Sequence, residues 1–343
     1  MGWAAYSVGA DNGGDVMSRL KSRQAILAGV ILGALPFSSI GQDASVFPAR
    51  PLRMIVPVAP GGGLDTTARS IAQKMTQAWG QQIIVDNRPG ASGVLAFDIA
   101  IKAAPDGHTL LMMSADHVIN SAPETKRLYD IARDLTGVSQ ATALSYLVYA
   151  HPSTPAASVK ELVAYGRNHP GKLNFGTPGT GSLQHLGWEM VMQMTGAKFT
   201  HVPYKGGAPA IVATVAGEMQ FGFITLTSAR PHLQTARIRL LAVTSGKRMP
   251  AMPDLPTVAE MGVAGFELNQ YYGAVIAARV PQPIVRKLSA AMAEAVKAPD
   301  VVKRFEADGW SLVGSTPEQF NALIREDLAK WRKVMKDIGL ALN

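Results

Sequence analysis

Three times along this chain a short strand-like run halts at a glycine-rich turn and resumes as a helix, and this repeated unit narrows the fold more than any other feature. The first run, 54–58, stops at Pro60-Gly61-Gly62-Gly63. Ala68, Ile71, Ala72, Met75 and Trp79 then follow at helical spacing until Gly80, with Asp65 as the expected N-cap. Strands at 83–85 and 109–113, with a helix at 94–104 between them, complete a βαβαβ unit. The alternation breaks around 130–138 and restarts with a strand at 146–150 and a helix capped at Ser158. A strand at 173–176 then enters the turn Thr177 to Ser182, and a helix follows at 183–195. A strand at 199–202 enters Pro203-Tyr204-Lys205-Gly206-Gly207, and a helix at 210–216 and strands at 219–224 and 239–243 complete the set. Such units predict parallel sheets covered by helices on both faces.

Two sets of units imply two α/β lobes. The last stretch is helical: Thr316, Pro317 and Gln319 predict a capping box, and Phe320, Leu323, Ile324, Leu328, Trp331, Met335 and Ile338 form one apolar stripe. That stripe reads as core packing, not as a site. The N-terminal unit has too few elements to cover its own sheet, so the final helices are expected to pack back onto it. The expected division is therefore residues 43–145 with 267–343 as one lobe and 146–266 as the other, the chain crossing twice in a hinge geometry.

Composition excludes several functions. There is no cysteine, hence no disulfide framework and no thiol nucleophile. The seven histidines show no metal-ligand spacing, and neither a Gly-x-Ser-x-Gly elbow nor a tight carboxylate pair is present. No catalytic, metal or cofactor residue is assigned, and the chain reads as a binding protein, not an enzyme. The net charge is +8, but the cations are scattered and not interleaved with aromatics, which argues against nucleic acid. Near the start, Met17 is followed by Arg19, Lys21 and Arg23, an apolar run at 25–35, Pro36, and small residues up to Gly41. That order is the pattern of a Sec-type signal peptide, expected to be cleaved near Gly41 or Ala44, so that residues 1–42 are leader and upstream extension and the mature protein is periplasmic. Without residues 1–41 the charge is +7, because three basic and two acidic side chains leave with them.

The glycine-rich turns are where binding is expected. Glycines at Gly61 and Gly62 let a ligand approach the main chain closely, and the free N–H groups and dipole of the helix that follows favour an anion. A dinucleotide fingerprint fails, because Thr66 stands where its third glycine belongs. The turn Thr177-Pro178-Gly179-Thr180-Gly181-Ser182 has P-loop-like spacing but no lysine before its final serine, which argues against nucleotide hydrolysis. His185, one turn into the helix, reads either as a ligand contact or as a structural hydrogen bonder. In the third turn Tyr204 could cover an organic ligand and Lys205 attract its charge, or Lys205 is simply a solvated surface residue.

Taken in order, RMIVPVAPGGGLD, VDNRPGASG, AAPDGHTLLM, LNFGTPGTGS, HVPYKGGAPA, LLAVTSGKR and LPTVAEMGVAGFE resemble the extracytoplasmic solute receptors of the tripartite tricarboxylate transporter family, the Bug-type receptors, from about Arg50 to Asn343. The resemblance implies a periplasmic-binding-protein fold, type II-like, with two α/β lobes, a ligand cleft and a two-strand hinge. It implies a monomer that captures a small organic carboxylate and hands it to a two-component membrane permease. The ligand contacts it implies are Pro57, Ala59, Gly61, Gly62 and Asp65 in the first turn and Ser114 after the third strand. In the other lobe they are Thr177, Gly179, Thr180, Gly181, Ser182 and His185, then Tyr204, Lys205 and Gly206, and Thr225.

Two departures from the family pattern bear on the ligand. Where many relatives carry Phe-Asp-Asn-Leu-Pro-Ser, this chain has Phe223-Ile224-Thr225-Leu226-Thr227-Ser228. An ammonium group there would lack a counter-ion, so the ligand is expected to be a plain or aromatic mono- or dicarboxylate, not an amino acid. Asp116 occupies a loop that is often neutral in relatives, and beside an anion it is unfavourable unless it pairs with His117 or points outward. Two rival functions stay open at this point: a secreted hydrolase or transferase using Ser182 or His185 in the same cleft, and a sensor subunit docking a signalling ectodomain.

Overall fold

The computed structural model describes residues 47–90, 93–122 and 129–340; the expected leader lies outside the described residues. The chain starts with β1 (Leu52–Val56), α1 (Gly63–Trp79), β2 (Ile83–Asn87), α2 (Val94–Lys102) and β3 (Thr109–Ser114). Two short helices, α3 (Ala115–Ser121) and α4 (Ile131–Asp134), lead into the long β4 (Leu135–Ser145). After one intervening residue the chain enters a second sheet with β5 (Leu147–Ala150), α5 (Val159–Asn168), β6 (Asn174–Thr177) and α6 (Leu183–Thr195). It continues through β7 (Thr200–Pro203), α7 (Gly207–Val215), β8 (Phe221–Ile224), α8 (Leu226–Gln234) and β9 (Arg239–Val243). The return to the first sheet is β10 (Asn269–Ala277), followed by α9 (Gln282–Val296), α10 (Pro299–Ala307), β11 (Trp310–Leu312) and α11 (Pro317–Asp337).

Both sheets are mixed, which corrects the expectation of purely parallel ones. The first has the order β11-β4-β10-β3-β1-β2 and the second β7-β6-β8-β5-β9. β1 runs parallel to β2 and β3, but β10 is antiparallel to β3 and β4. Likewise β6 is parallel to β7 and β8, while β5 is antiparallel to β8 and β9. The strands that run against the βαβ units are β10, by which the chain re-enters the first sheet, β5, by which it enters the second, and the short β11, antiparallel to β4. The interruption expected at 130–138 is also corrected: those residues form α4 and the start of β4. The first helix begins at Gly62, not at Asp65, because Gly62 has the extended backbone of an N-cap.

The helices return as expected. One face of the first sheet is covered by α1 and α9, which bury Leu64, Ile71, Met75, Ile284, Leu288 and Met292 in one apolar cluster. The other face is covered by α2, α3 and α11, and there the cluster runs on without a break into the second lobe through Leu183, Trp188 and Leu268. The Thr316–Gln319 capping box starts α11, and Phe320, Ile324, Leu328, Trp331 and Met335 are buried. Gly273 in β10 is required by this packing: a Cβ there would stand 2.4 Å from the Phe320 ring and 2.8 Å from the Ser139 carbonyl.

The two crossings are tied at one residue. The buried Thr244 donates its amide to the Tyr146 carbonyl at 2.9 Å and accepts the Tyr146 amide on its hydroxyl at 2.8 Å. The same hydroxyl donates to the Leu268 carbonyl at 2.7 Å, and the Thr244 carbonyl accepts the Leu268 amide at 2.9 Å. Thr244→Val keeps the shape but strands a buried donor and a buried acceptor, an expected loss of about 1–3 kcal/mol. Urea denaturation of the two proteins checks this value, and an unchanged midpoint would refute the role assigned to the hydroxyl.

Candidate ligand-binding cleft

In open α/β sheets, ligands sit beyond the carboxyl ends of parallel strands where neighbouring connections diverge. In the first sheet that point lies between β1 and β3, and in the second between β6 and β8. A cavity of about 400 Å³ opens at the first, lined by Ala59, Gly62, Gly63, Ser114, Asp116, Gln270 and Tyr272 among others. A smaller one of about 150 Å³ opens at the second, where Tyr146, Tyr149, Pro178, Gln184, Gly207 and Thr225 converge.

The first turn is built around Asp65. Its buried carboxylate accepts the Gly61 amide at 2.9 Å, the Arg69 Nε–H at 2.9 Å and the Asn87 amide at 2.9 Å. Burial alone would raise its pKa, but the bonds from Arg69, Gly61 and Asn87 outweigh burial and hold the carboxyl below the usual carboxylate range. Asp65 therefore fixes the turn, and the Gly61 amide is spent on it. Gly61 has φ +93°, a backbone conformation that favours glycine. The amides of Gly63 and Leu64, in the first turn of α1, have no intrahelical acceptor and stand at the cavity wall. Gly63 is also sterically required, since a Cβ would meet the Tyr272 hydroxyl at 2.8 Å. Pro57 is buried behind the turn, against Gly93.

The turn of the second lobe spends most of its donors on itself. The Gly179 amide goes to Thr177 Oγ1 at 3.3 Å, Gly181 to His185 Nδ1 at 3.1 Å, and Ser182 to the Gly179 carbonyl at 3.3 Å. The Ser182 hydroxyl donates to the Gly179 carbonyl at 2.7 Å and accepts the His185 amide at 3.3 Å, capping α6. His185 is thus a structural hydrogen bonder, its ring stacked 3.9 Å from that of His201, whose Nε2 lies 2.6 Å from Thr177 Oγ1. Thr180 is exposed, as is Lys205, and neither is among the residues lining these two cavities. Tyr204 is half-buried behind Gly176, and the Gly206 amide bonds the Pro178 carbonyl at 3.0 Å. What this lobe turns to its cavity is the first residue of α7 and the cap of α8, where Thr225 accepts the Ser228 amide at 3.3 Å.

Sequence reasoning missed the residues that join the two halves. Asp116 neither pairs with His117 nor points outward. Its Oδ1 accepts the Leu183 amide at 3.1 Å, the first residue of α6 in the other lobe, and its Oδ2 accepts the Gln270 side-chain amide at 2.5 Å. Gln270 is held in turn, its Oε1 taking the amides of Ala115 and Tyr271 at 3.0 Å each. The departure of Asp116 from the family pattern was the available signal; Gln270 lies 154 residues away and carried none. Behind Asp116, His117 Nδ1 accepts the Ser114 amide at 3.1 Å and lies 2.7 Å from Ser114 Oγ, which closes the turn from β3 into α3.

With this geometry in hand, the family model of the tripartite tricarboxylate transporter family receptor matches residues 67–340. Protein BugT of Bordetella pertussis is 33% identical over 309 residues, which are 88% of this chain and 93% of BugT. The solved structure of R. palustris Rpa4515 with adipate is similar at TM-score 0.73 and 32% identity, covering 86% of this chain and 99% of that one. MatC from Rhodopseudomonas palustris with bound malate is similar at TM-score 0.69 and 31% identity, covering 84% of this chain and 99% of its own.

Two histidines of the site are held neutral. Burial lowers His117 to about 4, with the charge of Asp116 opposing, and burial followed by His185 lowers His201 to about 4. The unfolded chain takes up these protons near about 6.5, so stability is full above that value and falls as pH drops toward about 4, below which the effect levels off. For His117 the loss across that window is on the order of 3 kcal/mol. Melting temperatures measured across the window for the wild type and His117→Asn check this, the variant being expected to lose less stability on acidification.

Proposed function

The chain belongs to the tripartite tricarboxylate transporter receptor family, and on that premise we propose that it is a periplasmic receptor for a small organic carboxylate, delivering it to a two-component membrane permease. The observation that carries this reading is the placement of both cavities at switch points, with the first residues of α1, whose amides have no intrahelical acceptor, lining the larger one. Adipate and malate in two relatives support a carboxylate as the ligand class. In this reading the lobes comprise residues 43–145 with 267–343 and residues 146–266. The contacts to the carboxylate are Ala59, Gly62, Gly63, Leu64 and Ser114, with Thr225 and Gly207 facing the ligand's other end. The second cavity is lined by no charged side chain, so a ligand whose far end carries an ammonium group has no counter-ion there, which favours plain or aromatic carboxylates.

The rival of a hydrolase using Ser182 or His185 loses support, because that hydroxyl and that ring nitrogen are engaged within their own turn. Among the described residues no helix is long and apolar enough to cross a membrane. Export by the leader is part of the proposal: protein recovered from the periplasm is expected to begin within a few residues of Gly41 or Ala44, and recovery of the uncut leader would count against it.

Thermal-shift screening against mono-, di- and aromatic carboxylates tests the ligand class. A true ligand at 100 times its dissociation constant stabilises by about 2.7 kcal/mol, and the melting temperature rises accordingly. At least one carboxylate is expected to raise it while glutamate and aspartate do not. A response confined to amino acids would overturn the specificity argument.

A further inference from the structure

We infer that Asp116 sets the ligand's charge, by occupying from within the chain the place at α6 that a second ligand carboxylate would otherwise take. The inference rests on the carboxylate-receptor reading and deepens it. Asp116 lines the larger cavity, and behind it the first amide of α6, Leu183, is already bonded to its Oδ1. The other amides of that turn, Gly179, Gly181 and Ser182, are spent internally, and His185 is spent on Ser182 Oγ. A negative end of a ligand arriving here finds few open donors and a fixed negative charge.

That charge is not free to swing away. Gln270 holds Oδ2, and the Gln270 amide is itself oriented by two backbone N–H groups on its oxygen, which leaves only its NH2 to face Asp116. Asp116 shares its cavity with Gly62 and Gly63, the end assigned to the ligand's carboxylate. A ligand with one carboxylate, placed at α1, leaves Asp116 paired as it stands. A ligand with a second carboxylate directed across the cleft brings two like charges together in a partly desolvated space. The ligand class is therefore a monocarboxylate whose far end carries no negative charge.

The test is isothermal titration of the mature protein with chain-matched pairs: butyrate and succinate, hexanoate and adipate, benzoate and terephthalate. The wild type is expected to bind the monocarboxylate of its best pair at least about tenfold more tightly. Asp116→Asn, which keeps an acceptor for Leu183 and removes the charge, is expected to shrink that ratio at least about tenfold by tightening the dicarboxylate. Asp116→Ala, which also opens the α6 amide, is expected to shift the ratio the same way. A wild type that prefers the dicarboxylate, or a ratio unchanged in both variants, overturns the assignment while leaving the receptor reading intact. Binding of no carboxylate by the wild type sinks the receptor reading and this assignment with it.

Discussion

A chain that visits a second sheet and returns must pass between its lobes twice, and both passages here are held by the hydrogen bonds of one buried threonine. Thr244 bonds Tyr146 on the outward crossing and Leu268 on the return, so the two connectors behave as one joint. The apolar cluster that runs from α3 and α11 into α6 lies beside this joint. Hydrogen bonds and apolar packing therefore hold the two connectors together at one place between the sheets.

In the proposed reading, the switch-point geometry supplies binding through helix starts. At β1/β3 and β6/β8 the helices leave in opposite directions, and the gap exposes helix starts rather than side-chain chemistry. Such ends stabilise charge without transferring protons. The histidines nearby serve the turns: their Nδ1 atoms take backbone amides at Ser114 and Gly181, which requires that nitrogen to be unprotonated.

Local structure was legible in the sequence where local rules decide it. The run into Gly61-Gly62-Gly63, the Ser158 cap and the Thr316–Gln319 box all appear in place. Of the three strands that were missed, β11 is only three residues long, while β4 and β10 read as LTGVSQATALS and NQYYGAVIA, with glycine and small polar residues interrupting the apolar pattern. They are strands because they pair with each other across more than a hundred residues, which no window of sequence shows. The site divides the same way. The glycine turns were found by composition, but the engagement of Asp65, Ser182 and His185 within those turns, and the meeting of Asp116 with Gln270 and Leu183, depend on tertiary placement.

The clip that Asp65 makes with Gly61, Arg69 and Asn87 has an effect on recognition beyond holding a loop. A turn fixed before the ligand arrives loses little freedom when the ligand binds, so its contacts appear almost undiminished in the affinity. In the proposed reading one end of the cleft is thereby a constant, a rigid socket for a negative group. Discrimination among guests then falls to what stands beside that socket, Asp116 first, and not to the socket itself.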